Sequence, residues 1–342
     1  MVVTGAIASI AALFPTPAAR ARAFGITGVV GGIAMALGPT LGAAISATVG
    51  WRWIFFANVP VCLLVAVAIP RLIVEAEATA RRPIQWAALA VLTAALGGII
   101  EAFLLARDSL LLMAVGLVAA VVLFALFVKM QRGEASPMLD PVIFTSRPMG
   151  VAITLLIAVS IGYWALLVYL PPFLVRAYGW THEGAGVALL ATTLPMLLLP
   201  PVASYVVRNL GWRRLFGSAL SCMAFGAVLL VIASSADAAM WGLVIALAGM
   251  GMIGAGAALV HPQLSGVVVE LLPANASGMA AAVTVIARQG GFAIGVALLG
   301  AAMQPMQTAS GFAGVFAIAA LASALGCAAC ALLPSQQKTG KP

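Results

Sequence analysis

Apolar runs of about 20 residues follow one another along this chain with short polar joints between them, and nothing else in the sequence constrains its fold so strongly. A helix needs roughly 20 predominantly apolar residues to cross the ~30 Å hydrocarbon core of a bilayer, since each residue adds about 1.5 Å. Ten such runs are present, at 24–47, 53–74, 84–106, 110–130, 149–174, 184–207, 214–235, 239–262, 277–303 and 311–333. With 64% of the 342 residues hydrophobic and 8% charged, the apolar surface is far more than a soluble core can hide. The expected fold class is an all-α polytopic membrane protein with about ten full transmembrane helices. Ahead of them, residues 1–14 are apolar but would reach only ~21 Å. No Lys or Arg precedes that run, so the charged start of a signal peptide is missing. It reads as the end of a helix that begins upstream, a partial N-terminal span.

A formal net charge of +8 raises nucleic acid as a partner, but the charge is distributed along a membrane instead. Placing the Arg20/Arg22 joint in the cytoplasm and alternating sides puts 13 of the 17 Lys and Arg residues inside. Only Arg52, Arg107 and Arg176 fall outside, and Arg288 lies within a run. That asymmetry is the positive-inside pattern, and it places the C-terminus in the cytoplasm. The expected location is the inner (plasma) membrane.

The first full run, 24–47, is rich in small residues, which let another backbone come close. Gly28, Gly32 and Ala36 recur every four residues, and Gly38-Pro39 is expected to break the helical hydrogen-bond ladder. Trp51-Arg52-Trp53 follows, with its indoles suited to the headgroup level. This stretch resembles the antiporter motif of the major facilitator superfamily, and Trp51-Arg-Trp-Ile-Phe with Asn58-Val-Pro60 resembles its fourteen-helix drug:proton antiporter branch. Gly25, Gly38, Pro39 and Gly42 match the motif, while Ala34 and Ala43 stand where it usually has glycine.

Other stretches carry the same resemblance. Ser136 to Phe144 is similar to the family's proline-led segment before its second half. Arg208, Gly211 and Arg213, with Arg214, follow its cytoplasmic loop motif, although the acid that often accompanies the motif is absent. Plain positive-inside anchoring is the favoured reading of these arginines. Tyr169-Leu-Pro-Pro-Phe stands where the family often has Tyr-Leu-Gln, and Arg288-Gln289-Gly290-Gly291 is similar to its Arg-Gln-x-Gly. The resemblance implies two helix bundles joined by an inserted pair of spans. The corresponding divisions are 1–74 for the remainder of the first bundle, 75–130 for the inserted pair, 131–148 for a cytoplasmic linker, 149–333 for a six-helix bundle and 334–342 for a tail. It further implies three more spans, and most of a fourth, ahead of Met1. It implies proton-coupled export of small lipophilic or cationic compounds by alternating access, with the proton gradient as energy source and no cofactor. The implied partners are the substrate, protons, lipid and, for an incomplete chain, a full-length transporter that it joins or modulates.

Three ionisable groups inside the runs are candidates for the proton or substrate path, because a charge there is costly and needs a partner or water. Glu101 either marks such a path or lies near enough to the surface to be hydrated or to pair with Arg107. His261 either titrates in the path or caps carbonyls at the cytoplasmic end of its helix. Arg288, with Gln289 beside it, either anchors the bundle or faces the substrate cavity. Cys62, Cys222, Cys327 and Cys330 all lie in apolar runs, and the Cys327/Cys330 spacing has no His or second Cys pair to complete a metal site. No His-Glu-x-x-His, Gly-x-Ser-x-Gly or paired-Asp diphosphate motif is present, so an enzyme is not expected.

Overall fold

The computed structural model describes residues 17–72, 85–106, 109–132, 134, 137, 146–200, 202, 211–235, 240–271, 277–303 and 309–332. Among these residues twelve α-helices follow one another: α1 Pro17–Thr48, α2 Arg52–Leu72, α3 Trp86–Leu105, α4 Leu110–Arg132, α5 Arg147–Val159, α6 Leu166–Tyr178, α7 His182–Ala188, α8 Leu190–Leu198, α9 Trp212–Ser235, α10 Met240–Glu270, α11 Ser277–Ala302 and α12 Ala313–Cys330. A π-helical turn, Ser160–Ala165, joins α5 to α6, and a 3-10 turn, Ala309–Phe312, leads into α12. Among the described residues there is no strand. Eight helical stretches there are long and apolar enough to cross a membrane, with α5, the π turn and α6 counting as one stretch, Arg147–Tyr178. The all-helical polytopic class expected from the apolar runs is the class observed.

The core lies in the second half of the chain, where glycines set how closely helices approach. A Cβ on Gly226 of α9 would lie 2.6 Å from the carbonyl oxygen of Gly249 on α10, and one on Gly249 would lie 2.7 Å from the carbonyl oxygen of Gly226. Gly254 and Gly256 continue the seam: a side chain at Gly254 would overlap the Thr192 backbone of α8, and one at Gly256 the Ala219 carbonyl of α9. Without a hydrophobic driving force between helices in lipid, such backbone contact supplies the packing energy. α9 also lies along α12, while α11 packs on α5 and the π turn. Phe173, Phe312 and Phe316 fill the end of this bundle where α6 meets α12, with Phe173 and Phe316 centroids 4.9 Å apart at 83°.

Around that bundle the earlier helices are attached at two places. Helices α3 and α4 pack on each other, with Gly116 against Ala102 and Gly98 against Ala120, and α3 lies along α11. α1 docks on α7 and α8, where Thr40 Oγ1 donates to the Gly186 carbonyl at 3.3 Å. α2 touches α1, and its 20-residue apolar stretch has no buried residue.

Four expectations about local structure are corrected. Residues from Pro17 to Ala23 are helical and not a joint, because nothing in that stretch after Pro17 opposes a helix. Gly38-Pro39 does not end or interrupt the helix: α1 runs continuously from Pro17 to Thr48, since a proline removes a single backbone donor, which a helix in a membrane tolerates. The run 184–207 is not one smooth helix over its described part. It tightens at Leu189, whose carbonyl accepts from both Thr192 N and Thr193 N at 2.9 Å and from Thr193 Oγ1 at 3.2 Å. α10 does not stop at Pro262 but continues to Glu270.

Candidate functional site

Of the candidate residues, His261 and Arg288 come together. The extension of α10 past Pro262 to Glu270 puts His261 inside the helix and away from its C-terminal end, so end-capping is not its role. Its ring meets Trp164 of the π turn edge to face, with centroids 5.3 Å apart at 63°, and Trp164 in turn meets Tyr163 at 5.1 Å and 89°. The π turn exists because an extra residue is fitted between α5 and α6, and such insertions re-aim the side chains that follow. Gly162 within it is pressed against Ser323 of α12 and Met223 of α9, at 2.5 and 3.3 Å from where a Cβ would sit. A side chain there would have to displace both, so α9 and α12 border the turn that carries Trp164.

Arg288 reaches this cluster from α11. It shares a helix face with Gly291 and Gly295, three and seven residues on. These glycines pack directly on the π turn and its approach: a Cβ on Gly291 would be 3.1 Å from Ile157 and Ser160, and one on Gly295 2.8 Å from Ala165. The guanidinium is half-buried and close enough to His261 to act on it electrostatically. Trp164 Nε1 and His261 Nε2 are buried without a hydrogen-bond partner. Two unsatisfied buried nitrogens beside a cation form a polar centre inside an apolar bundle, and a buried polar group without a partner costs roughly 1–3 kcal/mol. Gln289, the next residue, is exposed.

The remaining candidates lie elsewhere. Glu101 is exposed on α3 and apart from the Arg288 cluster. Gly38 and Gly42 of α1 have no atom within 4 Å of a Cβ position, and the surroundings of Gly25 and Pro39 lie outside the described side chains. Arg208 lies outside the described residues. Gly211 has φ of 80°, a left-handed turn that glycine adopts without strain, and leads into α9 with Arg213 exposed on its first turn. Among the described residues no group of His, Cys, Asp or Glu has the arrangement to hold a metal.

A second feature was not marked as a site by the sequence reading. A cavity of about 330 Å³ lies between α3 and α11, walled in part by Tyr169 of α6. The Tyr169 hydroxyl donates to the Val296 carbonyl at 2.6 Å and ties α6 to α11. Tyr169→Phe is expected to lower the stability of the purified chain by about 1 kcal/mol, read as a lower thermal unfolding midpoint in detergent. An unchanged midpoint would show that the bond contributes nothing. Trp164 also escaped notice, although an indole in the middle of an apolar run, away from the headgroup level where tryptophan is enriched, was the available signal.

An all-helical bundle with eight stretches of membrane-crossing length among the described residues, glycine seams, and a polar centre where α10, α11 and the π turn meet defines a polytopic membrane protein. Residues 1–296 match the model of the Major Facilitator Superfamily, and the chain belongs to that family. It is 27% identical over 300 residues to the multidrug resistance protein Stp of Mycobacterium tuberculosis, covering 87% of this chain and 55% of the relative. It is 28% identical over 304 residues to the tetracenomycin C resistance and export protein of Streptomyces glaucescens, covering 85% and 54%. The methyl viologen resistance protein SmvA of Salmonella typhimurium is 26% identical over 307 residues, with 88% and 60% covered. The chain spans about half the length of the curated relatives it matches.

Proposed function

We propose that this protein takes part in proton-coupled efflux, exporting small lipophilic or cationic compounds by alternating access of two helix bundles. The observation that carries the reading is the alignment of more than four-fifths of the chain with relatives named for drug resistance and export. The geometry supports it: the centre formed by Arg288, His261 and Trp164 lies where α10, α11 and the π turn meet, inside the bundle that the family moves as a unit. In this reading residues 149–333 are one bundle, 1–74 belong to the other, 75–130 are the inserted pair, 131–148 the linker, and the tail 334–342 lies in the cytoplasm of a plasma-membrane protein. Arg288, with Gln289, contributes to the substrate cavity. His261 is the group on the proton path.

Deleting the gene from its source is expected to raise the accumulation of ethidium and similar lipophilic compounds several-fold, and a protonophore is expected to remove the difference between the two strains. Equal accumulation across a panel of such compounds, with and without the protonophore, would overturn the reading. A second reading, that the chain associates with a full-length transporter, is favoured by the absence of any buried residue in the apolar stretch of α2. Co-purification of a full-length transporter with the tagged chain supports it, and recovery of the chain alone from native membranes with full export rejects it.

A further inference from the structure

At the end of the bundle where α12 stops and α9 begins, two thiols share one helix face. Cys327 and Cys330 stand three residues apart in the last turn of α12, and residues at that spacing are neighbours on a helix, with Cβ atoms about 5–6 Å apart. Both are free. Cys327 is half-buried, and its Sγ lies 3.1 Å from Ser221 Oγ and donates to the Gly217 carbonyl at 3.4 Å, both on α9. Cys330 is buried, and its Sγ donates to the Gly326 carbonyl at 3.3 Å. That bond turns the sulfur back over the preceding turn, the one that carries Cys327. Cys327 and Arg213, on the first turn of α9, are each close enough to Cys330 to act on it electrostatically. The other two cysteines are placed elsewhere: Cys222 turns its Sγ to the Met252 carbonyl of α10 at 3.4 Å, and Cys62 is exposed on α2.

The spacing selects the chemistry. A disulfide needs Cβ atoms about 3.5–4.5 Å apart, less than the helix provides, so joining the two sulfurs would distort the last turn of α12. Zinc calls for four donors in a tetrahedron, and among the described residues no His, Asp, Glu or further Cys completes such a set. A soft d10 cation of single charge takes two thiolates in line, and two metal–sulfur bonds of about 2.3 Å laid end to end reach about 4.6 Å. That span fits between neighbours on a helix face. Taking up such a cation releases two thiol protons, forms two metal–sulfur bonds and moves no electrons, so the complex is left with one negative charge. Arg213 supplies the opposite charge beside it. We propose that Cys327 and Cys330 form a two-coordinate thiolate site for a soft monovalent cation such as copper(I), reached past the exposed Ser221 and with Arg213 as its counter-ion. Binding there requires no transport, so it stands or falls separately from the efflux reading.

The test titrates the whole chain in lipid nanodiscs with copper(I) under argon, in competition with the chromogenic chelator bicinchoninate. The chain carries Cys62→Ala and Cys222→Ala, which leaves the pair as its only thiols. One copper(I) per chain is expected to be drawn from the chelator, and Cys327→Ser or Cys330→Ser is expected to weaken its binding at least about 100-fold. Arg213→Gln, a change at an exposed position, is expected to weaken it about tenfold, within reach of one charge pair in a medium less polar than water. An excess of zinc(II) is expected to leave the copper in place. X-ray absorption at the copper edge is expected to show two sulfur neighbours in line and no third ligand. Equal copper retention by the parent chain and by the chain carrying both serines would mean an adventitious ion only and overturn the proposal. Displacement by zinc, or a third ligand at the copper, would overturn it too, and both are read on the chain with the pair intact, whatever the folding of the variants. Ready closure of a Cys327–Cys330 disulfide by dilute peroxide would do the same, since it would bring the sulfurs closer than the linear site allows.

Discussion

Gly249→Ile is expected to lower the stability of the purified chain by about 3 kcal/mol or more, toward the upper end of what overpacking a close contact costs. The reason is that the nearest obstructing atom belongs to the backbone. A Cβ at Gly249 would lie 2.7 Å from the Gly226 carbonyl oxygen and 3.2 Å from the Leu229 Cβ, both on α9. A flexible side chain swings away from such a clash, whereas a carbonyl in the middle of a helix moves only with the helix. α9 would have to withdraw along a seam that includes Gly226, Gly249 and Gly256, and it would lose its dispersion contacts with α10, the principal gain from association in lipid. Gly266→Ala on the same helix serves as the control. Nothing lies within 4 Å of its Cβ position, so alanine there is expected to stabilise the helix by up to about 1 kcal/mol through propensity alone. The measurement is the thermal unfolding midpoint of each variant in the same detergent. Equal shifts for the two would refute the seam.

The spans were legible in the sequence because their signal is strong: 20 apolar residues have one destination. Glycine spacing in α10 was also legible as close contact, and Gly249, Gly254 and Gly256 make that contact. What the sequence concealed is everything that depends on a partner helix. Pro262 looked like the end of a span, yet α10 continues to Glu270, because a neighbour's packing outweighs the loss of one backbone donor. That single misreading moved His261 from the middle of a helix to its end and hid its contact with Trp164. The π turn at Ser160–Ala165 has no composition of its own. Its Gly162 lies against Met223 of α9 and Ser323 of α12, residues 61 and 161 positions further along the chain. The cavity lined by Ile100, Phe103 and Val296 was invisible for the same reason, since it needs α3 and α11 side by side. Glu101 itself was conspicuous as a lone carboxylate in an apolar run, but its neighbours on α3 gave no hint of a wall on α11.

Arg288 separates a structural role from a functional one, because the two predict opposite changes in stability. An arginine near the middle of a span costs about 2.5–3.5 kcal/mol by insertion measurements. The carboxylates of this half that would offset that cost are Glu183, Asp237 and Glu270. Glu183 is the second residue of α7 and Glu270 the last of α10, while Asp237 falls in sequence between α9 and α10. None sits in the middle of a helix as Arg288 does. The guanidinium acts electrostatically on His261, which carries no negative charge, in a centre where Trp164 Nε1 and His261 Nε2 lack hydrogen-bond partners. Replacing Arg288 by methionine, of comparable length, therefore removes a desolvated charge without breaking an ion pair among the described residues. The chain is expected to become more stable by about 1–3 kcal/mol, while efflux in cells falls by at least about tenfold. If Arg288 instead anchored the bundle, the same variant would unfold at lower temperature and its efflux would fall only as far as its abundance. Midpoint and efflux per folded molecule, measured on the same preparations of membranes, distinguish the two. Arg288→Lys sharpens the comparison, because it keeps the charge but loses the planar fork of donors. It is expected to retain the destabilising cost and still lose most of the efflux, which is the behaviour of a group that positions a substrate by geometry and not by charge alone.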